Sequence, residues 1–252
     1  MTEETEVTLP KLRWSFSQWE SYNSCPARWK FKNRLKLPSL PPGPAAARGL
    51  DLHDRVENVI KGELPMEALL VADPAKRFGD KRQATIHEKY IPIIAAYRDH
   101  PNGDRYTERK LAFDDEFYLC SPSSSMAACV AVLDAAKYTR PHYTDQGVLD
   151  IGEWKSGSPK DTHTDQRKLY ALFGLRTWLP DIVNVTTYYL EQPDIPPARL
   201  VVKVGATEKL KELWRNRAEQ MANDEICGPR PGQHCNWCDY AKRKGGPCQF
   251  GG

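Results

Sequence analysis

An aspartate, Asp134, closes one apolar run, and nineteen residues later comes the acid-x-lysine triplet Glu153-Trp154-Lys155. Asp and Glu are hard oxygen donors of the kind that hold Mg²⁺ or Mn²⁺, and a lysine beside them adds a cation. Such a set suits phosphodiester hydrolysis, in which a bound divalent ion activates water and neutralises developing charge. An acid-x-lysine pattern is also common on solvated sheet faces, so the elements that carry these residues matter.

Residues 146–157, Gln-Gly-Val-Leu-Asp-Ile-Gly-Glu-Trp-Lys-Ser-Gly, read as a strand running into a Gly-terminated turn. Side chains two apart share a face of a strand, so Glu153 and Lys155 point the same way, with Leu149 and Ile151 behind them. Residues 128–134, Ala-Cys-Val-Ala-Val-Leu-Asp, form a second strand that ends on the acid. Upstream, residues 45–60 are helix-forming, with Leu52, Val56, Val59 and Ile60 at helical spacing. His53 therefore sits in the first turns of a packed helix, where a histidine by itself is usually a core or cap residue. Downstream, Gln166 and Tyr170 are four apart in a helical run and share one face.

Taken in order, Gly49-x-x-x-His53, Asp134, Glu153-x-Lys155 and Gln166-x-x-x-Tyr170 resemble the motifs of the RecB-like branch of the PD-(D/E)XK nuclease superfamily. The likeness extends to its iron–sulfur exonucleases of the CRISPR-associated and AddB type. Residues 14–31, with their Cys25-Pro26 step, also resemble the opening helix of that family. Leu133 stands where the superfamily name has Pro, and Trp154 fills a slot that is often aromatic or aliphatic. The resemblance spans roughly residues 14–248. It implies an α/β fold: one PD-(D/E)XK-type domain with a central mixed sheet flanked by helices. It also implies that Asp134 and Glu153 ligate Mg²⁺ or Mn²⁺, that His53 completes the shell, and that the Trp154 carbonyl contributes. Lys155 would orient or deprotonate the attacking water, and Gln166 and Tyr170 would position the DNA backbone. Glu108 falls where the family often has an acid at the start of the first core strand; as a residue it reads equally well as an exposed strand-edge charge.

Seven cysteines, an odd number, with no signal peptide and no apolar run near about twenty residues, lead us to expect a soluble cytoplasmic protein without a disulfide scaffold or membrane span. Cys120 and Cys129 read as small hydrophobes of the strand region. Cys235-Asn-Trp-Cys238 and Cys248 lie in a loop-rich tail too poor in apolar residues to fold without a staple. Local chelation would recruit Cys227 or His234 as a fourth ligand and favour structural Zn²⁺. The family resemblance implies instead a [4Fe–4S] cluster on Cys25, Cys235, Cys238 and Cys248, clasping the tail to the N-terminal helix.

A chain of 252 residues suffices for one substantial α/β core. A formal charge of +3 is too mild to show nucleic-acid binding, although residues 28–36 and 242–244 cluster basic side chains that either meet phosphates or are solvated faces. Trp14, Trp19 and Trp29 read as core. We expect a flexible tail over 1–12, a helical part over 13–105, a nuclease core over 106–225 and a metal-binding tail over 226–252, with 13–252 one folded unit. The expected elements are helices at 17–34 (capped by Ser17), 45–62 and 81–99, strands at 108–119, 127–138 and 147–155, the Gln166 helix, strands at 183–190 and 199–204, and a helix at 207–223. Residues 37–44 form a Pro-rich connector.

The resulting expectation is an exonuclease on DNA single strands or duplex ends, in recombination, repair, phage DNA processing or CRISPR-type adaptation. No Walker segment is present, so a helicase or adaptation partner would be a separate chain. The competing reading is a non-catalytic DNA-binding scaffold, which has no need of Asp134, Glu153 and Lys155 together. The two helical motifs favour the RecB-like branch over a restriction-type endonuclease.

Overall fold

The computed structural model describes residues 12–101, 104–140 and 146–251, so the expected tail lies outside them up to residue 11. In chain order the elements are β1 (Trp14–Ser15), α1 (Phe16–Ser24), α2 (Pro26–Trp29), α3 (Pro44–Lys61), β2 (Arg77–Phe78), β3 (Lys81–Arg82), α4 (Ile91–Arg98), β4 (Arg105–Phe113), β5 (Leu119–Cys120), β6 (Cys129–Thr139), β7 (Val148–Lys155), α5 (Thr162–Thr177), β8 (Ile182–Tyr189), β9 (Ala198–Lys203) and α6 (Thr207–Asn223). The main sheet runs β5-β4-β6-β7-β8-β9, with β1 paired to β6. β4, β6 and β7 are antiparallel neighbours, whereas β7 and β8 are parallel and joined through α5. This is the expected mixed sheet flanked by helices.

Each face of the sheet is covered by its own apolar layer. Leu149 and Ile151 of β7 join the layer that contains residues of α1, α5 and α6, while Trp154 joins the layer formed with α3 and α4. The strand alternation thus sends Glu153, in register with Leu149 and Ile151, toward α5. Trp14, Trp19 and Trp29 are core, as expected. Trp214 of α6 centres the first layer: it stacks on Trp14 at 5.7 Å and meets Trp19 edge-on at 5.3 Å.

β6 runs on past Asp134 to Thr139, so the acid sits within the strand and does not end it, and three other elements depart most from the sequence expectation. The helix at 17–34 starts one residue early, capped by Ser15, whose Oγ accepts from Gln18 N–H at 3.4 Å, and it breaks at Cys25. Pro26 opens α2, and its ring disfavours helical backbone at the residue before it, leaving Cys25 extended at φ −157°. The helix at 81–99 shortens to α4, because residues 81–82 form a small hairpin with β2 and Pro92 fits the first turn of a new helix. The strand at 108–119 divides at Asp114, whose carboxylate accepts from Glu116 N–H (3.0 Å) and Tyr118 N–H (2.8 Å) in a tight turn.

The C-terminal tail is bound to the N-terminal helices by ordinary contacts. Arg34 donates to the carbonyls of Met221, Ala222 and Asp224 at the end of α6, at 3.2, 2.6 and 2.9 Å. Arg34 is therefore structural, not part of a free basic face. Tyr22 donates to Asp224 at 2.8 Å, and its own pKa is pushed up to about 12 by burial and by that carboxylate. Phe31 packs on Tyr240 at 5.5 Å.

Because Trp214 is fully buried at the junction of β1, α1 and α6, Trp214→Ala should cost about 3–5 kcal/mol of unfolding free energy in urea titrations. A loss under about 1 kcal/mol, the scale of surface changes, would contradict this packing role.

Candidate active site

The ladder between β6 and β7 ends at the pair Ala135–Gly152. One step further, Asp134 and Glu153 would face each other, but the strands part and Trp154 N–H donates to the Asp134 carboxylate at 2.8 Å instead. On the other side of β6 the ladder with β4 skips from Thr107–Ala135 to Arg109–Leu133, leaving Glu108 opposite Asp134. Glu108 has φ +46°, a left-handed backbone that costs free energy in a non-glycine residue. The result is a row of three carboxylates, Glu108, Asp134 and Glu153, across three adjacent strands.

The first helix motif brings His53 to the row. Its Nδ1 lies 3.6 Å from Asp134 Oδ2, and ligand atoms of His53, Glu108 and Asp134 all fall within 4.8 Å of one another. Gly49, one turn earlier in α3, lies close by: a Cβ there would stand 2.9 Å from Ser156 Oγ, beside Lys155, and would turn that hydroxyl aside. Burial opposes a charge on His53, but the Asp134 carboxylate outweighs it and raises the pKa.

Glu153 is buried, and its Oε1 accepts from Lys155 Nζ and, at 2.8 Å, from the Gln166 amide. The same amide group lies 3.0 Å from the Tyr170 hydroxyl. Glu153 Oε2 is buried with no partner among the described residues, a costly state for a carboxylate unless a cation is nearby. Burial and the charge of Asp134 push the Glu153 pKa up to about 7, and burial with Asp134 and Glu57 does the same for Glu108. Burial also works against the Lys155 ammonium, yet Glu153 holds its pKa above the ordinary lysine value. Trp154 takes part through its backbone, its side chain being core beside Tyr97 and Tyr188.

The donor set is dominated by hard oxygen: two carboxylates lie close to one imidazole, and a third carboxylate oxygen is left bare. That set fits Mg²⁺ or Mn²⁺. His53, Asp134, Glu153, Lys155, Gln166 and Tyr170 thus come together, and Glu108 joins them. The sequence hinted at Glu108 only by its position, since a lone acid in Tyr-Thr-Glu-Arg has no distinguishing spacing.

At the far end of α1, Cys25, Cys235, Cys238 and Cys248 line one small cavity with His234 and Arg28. Cys227 is not among its lining residues. Its thiol donates to the Asp224 carbonyl at 2.9 Å, within the turn that Arg34 caps.

A profile of the PD-(D/E)XK nuclease superfamily matches residues 13–243, and the chain belongs to that superfamily. This bears out the superfamily that the motifs resemble, and membership implies a metal-dependent nuclease acting on DNA. A solved structure described as "Crystal structure of SSO0001" is similar at 13% identity and a TM-score of 0.42, covering 97% of this chain and 89% of that one, a likeness too distant to bear on the site. No curated protein sequence matches the chain. Among the described residues, no helix is long and apolar enough to cross a membrane.

If Glu108 shares the cation with Asp134 and His53, Glu108→Gln should weaken Mn²⁺ binding in calorimetric titrations by about tenfold or more, the scale on which metal sites respond to loss of a supporting group. Unchanged affinity would return Glu108 to a strand-edge charge.

Proposed function

We propose that this protein is a RecB-like, Mg²⁺- or Mn²⁺-dependent exonuclease acting on DNA single strands or duplex ends. The carrying observation is the carboxylate row flanked by Lys155 and His53, in a chain that matches the nuclease superfamily along residues 13–243. His53, Glu108 and Asp134 would hold the ion, with the bare Oε2 of Glu153 beside them. When bound, the ion supplies Lewis-acid chemistry and water activation. Lys155 holds the Glu153 carboxylate and presents an ammonium that orients the attacking water and stabilises negative charge on the phosphate. Gln166 fixes the Glu153 carboxylate through its amide and is braced by Tyr170, whose pKa is raised well above the ordinary value by burial and by Glu153. Tyr170 therefore stays a neutral hydroxyl.

We infer also that Cys25, Cys235, Cys238 and Cys248 ligate a [4Fe–4S] cluster. What supports this is the shared cavity and the chemistry of four thiols, a usual ligand set for such a cluster. Broad absorbance near about 400 nm in anaerobically purified protein, with iron and sulfide, is the expected result. Colourless protein with stoichiometric zinc would contradict it.

With end-labelled linear and circular DNA and Mg²⁺ or Mn²⁺, the purified protein should degrade linear molecules only. Asp134→Ala and Lys155→Ala should each abolish cleavage while circular dichroism stays unchanged. Cleavage by either variant at the parental rate would refute the site.

A further inference from the structure

A polar groove of about 760 Å³ is lined by α1, Arg28 of α2, Lys32 and Asn33, the start of α5 and His234 of the tail. Its near end adjoins the chemistry. Thr162 is one turn before Gln166 on α5 and donates to Glu20 at 2.7 Å, and Glu20 is one of the charges that act on Lys155. From there the groove passes Gln18 and Ser21, then Arg28 and Lys32, and reaches His234 at the edge of the tail.

Its chemistry is that of a phosphodiester path. Hydroxyls and amides line it as neutral donors, and Arg28, Lys32 and Lys160 bring three cations. The two acids present are Glu20, which accepts from Thr162 and faces Lys160 at 4.0 Å, and Asp161.

Among the described residues one indole is exposed, in the tail three residues on from His234. Five of the seven tryptophans are at most 5% exposed and Trp178 packs against the core, whereas Trp237 is 69% exposed. Trp237 lies on a 3₁₀ turn, Gln233–Trp237, three residues after His234. Side chains three apart eclipse in such a turn, which puts Trp237 on the same side of the turn as His234, a residue that lines the groove. Arg243 braces this turn by donating to the carbonyls of Asn236 and Cys235, within the exposed Lys242-Arg243-Lys244 triplet. An exposed aromatic beside cations at the end of a polar groove is the combination that binds unpaired bases and their phosphates. A base within a duplex has no free face to offer it.

We propose that this groove is a single-strand DNA track, leading from the carboxylate row to a base-stacking platform at Trp237. The proposal rests on the nuclease reading for its substrate but is measured by binding. Fluorescently labelled oligo-dT is titrated with the full-length protein in Ca²⁺, alongside Trp237→Ala and the double variant Lys32→Gln/Lys160→Gln. Trp237→Ala should lose about tenfold in affinity, within the range an aromatic contributes to base stacking. The double variant should lower the slope of log affinity against log salt by about 0.7 for each lysine. Both should hydrolyse thymidine 5′-p-nitrophenyl phosphate in Mn²⁺ at the parental rate, because neither touches the carboxylate row. Parental binding by both variants would overturn the track, as would equal losses on a long blunt-ended duplex annealed from two strands, which has no loop. If the variants lose binding but the parent cleaves no DNA, the track stands and the nuclease reading fails.

Discussion

Like charges held side by side are the constraint on which this structure depends. Glu108, Asp134 and Glu153 occupy neighbouring positions on three adjacent strands, where directly opposed like charges destabilise a sheet. At about 4 Å and the effective dielectric of a protein surface, one such pair costs about 4 kcal/mol. The molecule meets this cost locally. The ladders open on both sides of Asp134, Trp154 N–H is diverted to its carboxylate, and His53 and Lys155 supply positive charge. What stays unmet is visible as the bare Glu153 oxygen and as the two glutamates raised to about 7. Protons held in the folded state and released on unfolding give a definite sign. For these two glutamates the contribution to the stability of the metal-free protein falls as pH rises from the ordinary carboxylate range toward 7. A divalent cation replaces those protons and removes the loss.

The elements around the row follow from that need. α3 must come close enough for His53 to reach Asp134, and Gly49 packs its bare face near the Ser156 hydroxyl on that approach. α5, the crossover between β7 and β8, carries Gln166 to Glu153 from the sheet face to which strand alternation sends that carboxylate. Apolar layers cover the two faces of the sheet, and the polar row lies within it, where the β4–β6 and β6–β7 ladders part.

Much of this was legible in the sequence, because period-2 and helical spacing place Glu153 with Lys155 and Gln166 with Tyr170 without any tertiary information. Charge reach across strands was not. Glu108 belongs to the site through register and through a left-handed backbone, and neither leaves a mark on residue type. The break at Cys25 was readable from Pro26 but is meaningful only once the tail cysteines are seen on the same cavity. Trp237 is likewise ordinary in sequence, and it stands out only through its exposure three residues from His234, which lines the groove.

The most direct test of the carboxylate row is anomalous scattering from crystals grown with Mn²⁺. One strong peak is predicted between Glu108, Asp134 and the His53 ring, within coordination distance of all three and on the side of the free Glu153 oxygen. Absence of a peak there at millimolar Mn²⁺, with His53 still turned toward Asp134, would contradict the account.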